Sequence, residues 1–125
     1  MSIRILCIVF PALILVSGCR QQARPTDDTP VTRGEAVFEE AGSCSLCHAI
    51  HDDTVIVGPS LKGIASRAAQ REQGISAQAY LRESIVTPDQ YLVPGFQAGL
   101  MPQTYSERLT QGQIDDLVAY LMALK

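Results

Sequence analysis

Residues 44–53 read CSLCHAIHDD, which crowds Cys44, Cys47, His48 and His51 into one short stretch. Three chemistries use such residues. Structural zinc takes four donors in a closed tetrahedron, usually from two separated half-sites, and four donors packed this tightly can hardly converge on one centre. A dithiol redox pair normally opens a helix inside a strand–helix–strand unit, and no such pattern surrounds this one. The third is covalent attachment of haem, whose signature is C-x-x-C-H. Two thiols at that spacing can add to vinyl groups on neighbouring pyrroles, and the next residue then places its imidazole beneath the iron.

A second ligand to that iron has a candidate in LVPGFQAGLMPQT, residues 92–104. Met101 lies there among Pro94, Gly95, Gly99 and Pro102, in a loop able to wrap a flat group. Of the chain's three methionines, Met1 begins the leader and Met122 falls beside the apolar stripe of the last helix. Methionine in that setting is packing, because its flexible side chain fills core gaps. His51 is the rival sixth ligand, but three residues after His48 it belongs on the same side of a haem plane, which favours a surface position.

The elements that position these residues are helical. Thr32 and Glu35 have the spacing of a capping box, and Gly34, Val37, Phe38 and Ala41 recur at helical spacing, predicting a first helix that ends at Gly42. A second is predicted over 60–69, with Leu61, Ile64, Ala65 and Ala68 on one side. Ser76 caps a third, which turns Ala77, Tyr80, Leu81, Ser84 and Ile85 inward and stops at Thr87-Pro88. The last runs from Thr110, with Gln113 completing its cap, to Lys125, and Asp115 and Asp116 sit favourably in its first turn. Nothing reads as a strand longer than TVIVG, residues 54–58, so the class is all-α with long loops. A domain this small, with no tryptophan and 6% aromatic residues, has little from which to build a core. A porphyrin would supply the missing apolar bulk.

The amino-terminal residues have a different purpose. One early positive charge, Arg4, precedes an apolar run from Ile5 to Val16, the layout of an export signal. The run is too short to span a bilayer as a helix, for which about 20 residues are needed. VSGC, residues 16–19, resembles the lipobox of bacterial lipoproteins, which implies cleavage after residue 18 and a lipid on Cys19. More than one acyl chain makes such anchoring stable. Residues 19–30 then form a polar tether with an r.m.s. reach of roughly 20 Å at ~5–6 Å × √n, and the domain occupies residues 31–125. Cys7 leaves with the signal, so of four cysteines only Cys44 and Cys47 remain for chemistry. The expected location is outside the cytoplasmic membrane, facing the periplasm or the cell exterior. The formal net charge of −3 becomes one unit more negative without Arg4, which gives no electrostatic footprint for nucleic acid.

From about residue 31 to 125 the chain resembles the class I cytochrome c family. The matching pieces are GEAVF, CSLCH, GPSL at 58–61, YLVPG, MP at 101–102 and LVAYL in the last helix, in that order. The resemblance implies a small all-α fold of four or so short helices and long loops around one covalently bound haem c. Cys44 and Cys47 would carry its thioethers, and His48 and Met101 would be the axial ligands of the iron. Pro59 would accept a hydrogen bond from the His48 ring, and Leu61 would pack on the haem. Gly34 and Phe38 would meet Leu117 and Tyr120 where first and last helices cross. Arg67 and Tyr91 fall where members often contact a propionate, and the tryptophan that many use there is missing from this chain.

With both axial positions filled, no site is left for a small-molecule substrate. The implied activity is one-electron transfer between redox partner proteins, respiratory or dehydrogenase complexes, from a membrane-tethered position. The alternatives are a haem subunit fixed in an oxidoreductase complex, or a gas-sensing or peroxidase-type protein should Met101 not bind.

Overall fold

Thr29, not Thr32, opens the first helix of the computed structural model, which describes residues 28–125. The signal, Cys19 and most of the tether lie outside the described residues. Thr29 Oγ1 accepts the N–H of Thr32 at 3.2 Å while Thr32 Oγ1 accepts the N–H of Thr29 at 3.1 Å. Pro30 follows at the first helical position, where its missing N–H costs nothing. With the helix begun at Pro30, the Glu35 amide is already inside it and has no need of a cap from Thr32. Helix α1 spans Pro30–Ala36 and widens into a π turn over Val37–Ala41, closed by the Gly42 N–H on the Val37 carbonyl at 2.7 Å.

The other helices are α2 (Ile64–Ala68), α3 (Ala77–Val86), α4 (Tyr105–Arg108) and α5 (Gln111–Ala123). The α2 helix starts four residues later than its periodicity predicts, because Gly63 takes a left-handed φ of +62° and Ser60 is committed to loop bonds. The Ser60 hydroxyl donates to the Asp52 carbonyl at 2.6 Å and accepts the Lys62 N–H at 3.2 Å. Ser76 caps α3 as expected, accepting the N–H of Ala79 at 3.2 Å. Thr110 and Gln113 cap α5 reciprocally, at 3.2 and 2.9 Å, and the helix ends at Ala123, two residues before Lys125.

Helices α1 and α5 cross at Gly34. A methyl group there would lie 2.0 Å from the Asp116 carbonyl oxygen and 2.7 Å from Tyr120 Cβ, so only glycine permits this approach. Below the crossing, the rings of Phe38 and Tyr120 meet at 5.5 Å. Arg33 spans it with a two-pronged bond, Nε and Nη2 donating to the Asp116 carboxylate at 2.7 and 2.9 Å. Around this crossing Phe38, Ile114 and Leu117 are the largest fully buried side chains. They continue into Tyr80, Leu81 and Ile85 of α3 and Leu121 of α5.

Residues 54–58 are loop, and the described residues contain no strand. Val55, Ile56 and Val57 are exposed, while Val57 and Gly58 donate their N–H groups to the Cys47 carbonyl. No helix among the described residues is long and apolar enough to cross a membrane. The fold is therefore all-α with long loops, and those loops close over one flank of the core.

Candidate functional site

The local backbone aims Cys44 and Cys47 the same way. Cys44–Leu46 is a single 3₁₀ turn, closed by the Cys47 N–H on the Cys44 carbonyl at 3.1 Å. In such a turn residues three apart face the same way, and both thiols line one cleft. Ser43 enters the turn at a left-handed φ of +51°, a conformation that costs free energy for a residue with a Cβ. Its hydroxyl donates to the Glu40 carbonyl at 3.0 Å. Both cysteines are free thiols. Burial, followed by the Cys47 and Glu39 charges, pushes the Cys44 thiol up to about 11, so it stays protonated at neutral pH.

His48 comes directly after the turn. Its Nδ1–H donates to the Pro59 carbonyl at 2.8 Å, which leaves the Nε2 lone pair as the free donor. Burial holds the imidazole below its ordinary range, although the Pro59 bond pulls the other way. The ring is therefore neutral and able to bind a metal. It lies so close to the loop that a methyl group on Gly58 would come within 2.4 Å of its Cε1.

Both thiols and His48 line a mainly apolar cleft of about 1190 Å³, counted out to open solvent. Pro59, Leu61, Tyr91 and Met101 line it too, together with Leu81, Ile85, Leu117 and Leu121 of the core. Met101 is half-buried, and its carbonyl accepts from Gln103 Nε2 at 3.0 Å. Tyr91 sits edge-on to Tyr80 at 5.6 Å. Met122 packs against the core instead, and His51 is exposed; neither lines the cleft.

Arg67 departs from expectation. It does not line the cleft, and its guanidinium turns back over its own loop, donating to the Ser60 carbonyl at 2.9 Å and to that of Lys62. Its Nε stays buried without a partner. The late start of α2 leaves those carbonyls free to capture it. Arg71, which sequence reasoning did not single out, lines the cleft in its place. It lies just past the end of α2, four residues after Arg67, and that spacing was the only signal for it.

The donors do not form an ion site of their own. Among the described residues no three His, Cys, Asp or Glu side chains converge on a point that could hold a metal ion, so the zinc geometry is not built here. Two thiols, a neutral imidazole with a free nitrogen and a thioether on one apolar cleft fit a covalently held haem instead. The model of the family described as cytochrome c matches residues 31–125. No curated protein matches the chain.

Proposed function

Because the chain belongs to the cytochrome c family, whose members bind covalent haem c, we propose that it is a membrane-tethered one-electron carrier with His48 and Met101 as axial ligands. The observation that carries this reading is the meeting of Cys44, Cys47, His48 and Met101 on one apolar cleft. Haem c held there supplies an iron couple that accepts and returns single electrons, at a potential raised by Met/His ligation. The chain's own residues do the rest.

Cys44 and Cys47 would hold the group through thioethers, while Pro59 fixes the His48 ring and raises its basicity as a ligand. Leu61, Leu81 and Ile85 keep water from the cleft, and a dry site exchanges electrons with less rearrangement of its surroundings. Arg71 and Tyr91 line the cleft and Arg67 does not, which favours the first two as partners of a propionate. With His48 and Met101 both holding the iron there would be no position for a substrate, which favours a carrier over a gas sensor or peroxidase.

The partners are redox proteins of an electron-transport chain. The lipobox at residues 16–19 supports attachment through Cys19 to a membrane facing the periplasm or cell exterior. Cys19→Ser should leave the protein as precursor or release it in soluble form, with its visible spectrum unchanged. A wild type already soluble after export contradicts the anchor.

Attachment is tested on a denaturing gel stained for haem, with protein matured by export and haem-attachment machinery. The stain should stay with the wild-type chain and vanish in the Cys44→Ser/Cys47→Ser double variant. A haem-free wild-type band contradicts the reading.

A further inference from the structure

Met101 sits on a stretch of chain with few ties. Helix α3 ends at Val86, Gln90 donates back to the Thr87 carbonyl at 2.9 Å, and the chain leaves as a long loop. Its first bend is Val93-Pro94-Gly95-Phe96, closed by the Phe96 N–H on the Val93 carbonyl at 3.0 Å, with Gly95 at φ +94°. Proline and then a left-handed glycine at the two central positions make a type II turn. The second bend is Gly99, at φ +76°. A methyl group on Gly99 would meet nothing within 4 Å, so glycine is needed there for backbone direction and not for room.

Two side chains tie down the segment that carries Met101. The Asp89 carboxylate accepts the Gly99 N–H with both oxygens, at 3.0 and 3.1 Å, and so closes the loop onto itself just before Met101. On the other side of Met101, Gln103 Nε2 donates to the Met101 carbonyl at 3.0 Å. Among the described residues no other hydrogen bond reaches residues 97–102. Asp89 also lines the cleft, so the clamp lies at the site and not behind it.

We propose that Asp89 is a positioning residue for Met101: by accepting the Gly99 N–H it fixes the bend from which the thioether reaches the iron. The proposal rests on Met101 being the iron ligand. A thioether is a weak donor on a flexible side chain, and a loop left free to wander would lose entropy at each return. Ordering the loop in advance removes that cost. A bond from a backbone N–H to a carboxylate is stronger than one to a neutral acceptor, which suits a loop with so few other ties.

The test uses the mature, haem-loaded protein and three measurements. These are the rate at which imidazole binds the oxidised form, the absorption band that iron–thioether ligation produces, and the reduction potential. Asp89→Ala should speed imidazole binding on the order of tenfold, the effect of losing one charge-assisted hydrogen bond at an exposed site. It should also weaken the band on warming and lower the potential. Asp89→Asn keeps one neutral accepting oxygen and should fall between wild type and Asp89→Ala. Gly99→Ala, strained at its positive φ, reaches the clamp from the other end and should resemble Asp89→Ala.

A merely structural role for Asp89 lowers the melting temperature without opening the iron to imidazole, and that result overturns the proposal. So does Asp89→Asn behaving like Asp89→Ala, which assigns the effect to charge and not to the bond. Met101→Ala separates the two levels. If it admits imidazole freely while Asp89→Ala binds at the wild-type rate, the clamp is wrong and the ligand right. If Met101→Ala changes neither band nor rate, the ligand assignment itself fails and the clamp fails with it.

Discussion

At the scale of single residues, the site depends on how closely backbone approaches the His48 ring. Gly58 leaves no room for a side chain, since a methyl group would stand 2.4 Å from Cε1. Gly58→Ala must therefore push the imidazole or the loop aside, at a cost of roughly 1–3 kcal/mol for overpacking. The expected outcome is a lower yield of haem-loaded protein and a shifted potential, checked by a pyridine haemochrome assay and a redox titration. Wild-type values for both would show that the ring does not need this position. Much at this scale was legible in the sequence, because C-x-x-C-H names its chemistry by residue type and order, the Pro59 carbonyl does meet the His48 ring, and Met101 does share their cleft. Arg67 was not legible. Its partners are the carbonyls of Ser60 and Lys62, and which backbone groups stand free depends on where α2 begins. Asp89 and Gly99 meet across ten positions of loop with no periodicity to announce it.

At the scale of elements, caps and stops read well where side-chain chemistry decides them. Ser76 and Thr110 cap the helices they were expected to cap, and Pro88 comes just after the end of α3. Reading failed where backbone conformation decides. Gly63 is the residue type a left-handed break takes, hidden here inside the helical periodicity of 60–69, whereas nothing in the residue types announces the π turn at Val37–Ala41 or the short α4, whose Tyr105 is buried with its hydroxyl on the Gly42 carbonyl at 3.0 Å. The junction of α2 and α3 also carries a titration. Burial, then the charge of Glu83, raises the Glu72 carboxyl above its ordinary value, and one oxygen of each side chain is buried without a partner. Because the folded state keeps a proton that the unfolded chain gives up, stability falls as pH rises from the ordinary Glu value through the raised one. Glu72→Gln should remove that slope and raise the melting temperature at neutral pH. Melting curves between about pH 4 and 7 check it, and an unchanged slope contradicts it.

At the scale of the whole molecule, a sparse core and a large cleft explain each other. Phe38, Ile114 and Leu117 are the largest fully buried side chains, and the apolar residues around them open onto the cleft that both thiols and His48 line. A domain of this size buries too small a share of its surface to be robust alone, so the group that fills the cleft completes the core as well as the chemistry. Composition alone points to that need, whereas the extent of the cleft depends on loops whose paths no periodicity encodes. The proposed carrier function asks one thing more of that group, an iron that exchanges electrons and nothing else. The most direct measurement of that is carbon monoxide mixing with the reduced protein. On the proposed Met101 ligation, wild type should take up the gas slowly, because the sulfur would first have to leave the iron, and Met101→Ala should take it up rapidly, while Met122→Ala, which does not line the cleft, should match wild type. Rapid uptake by the wild type would contradict a closed electron-transfer site and put a gas-binding function in its place.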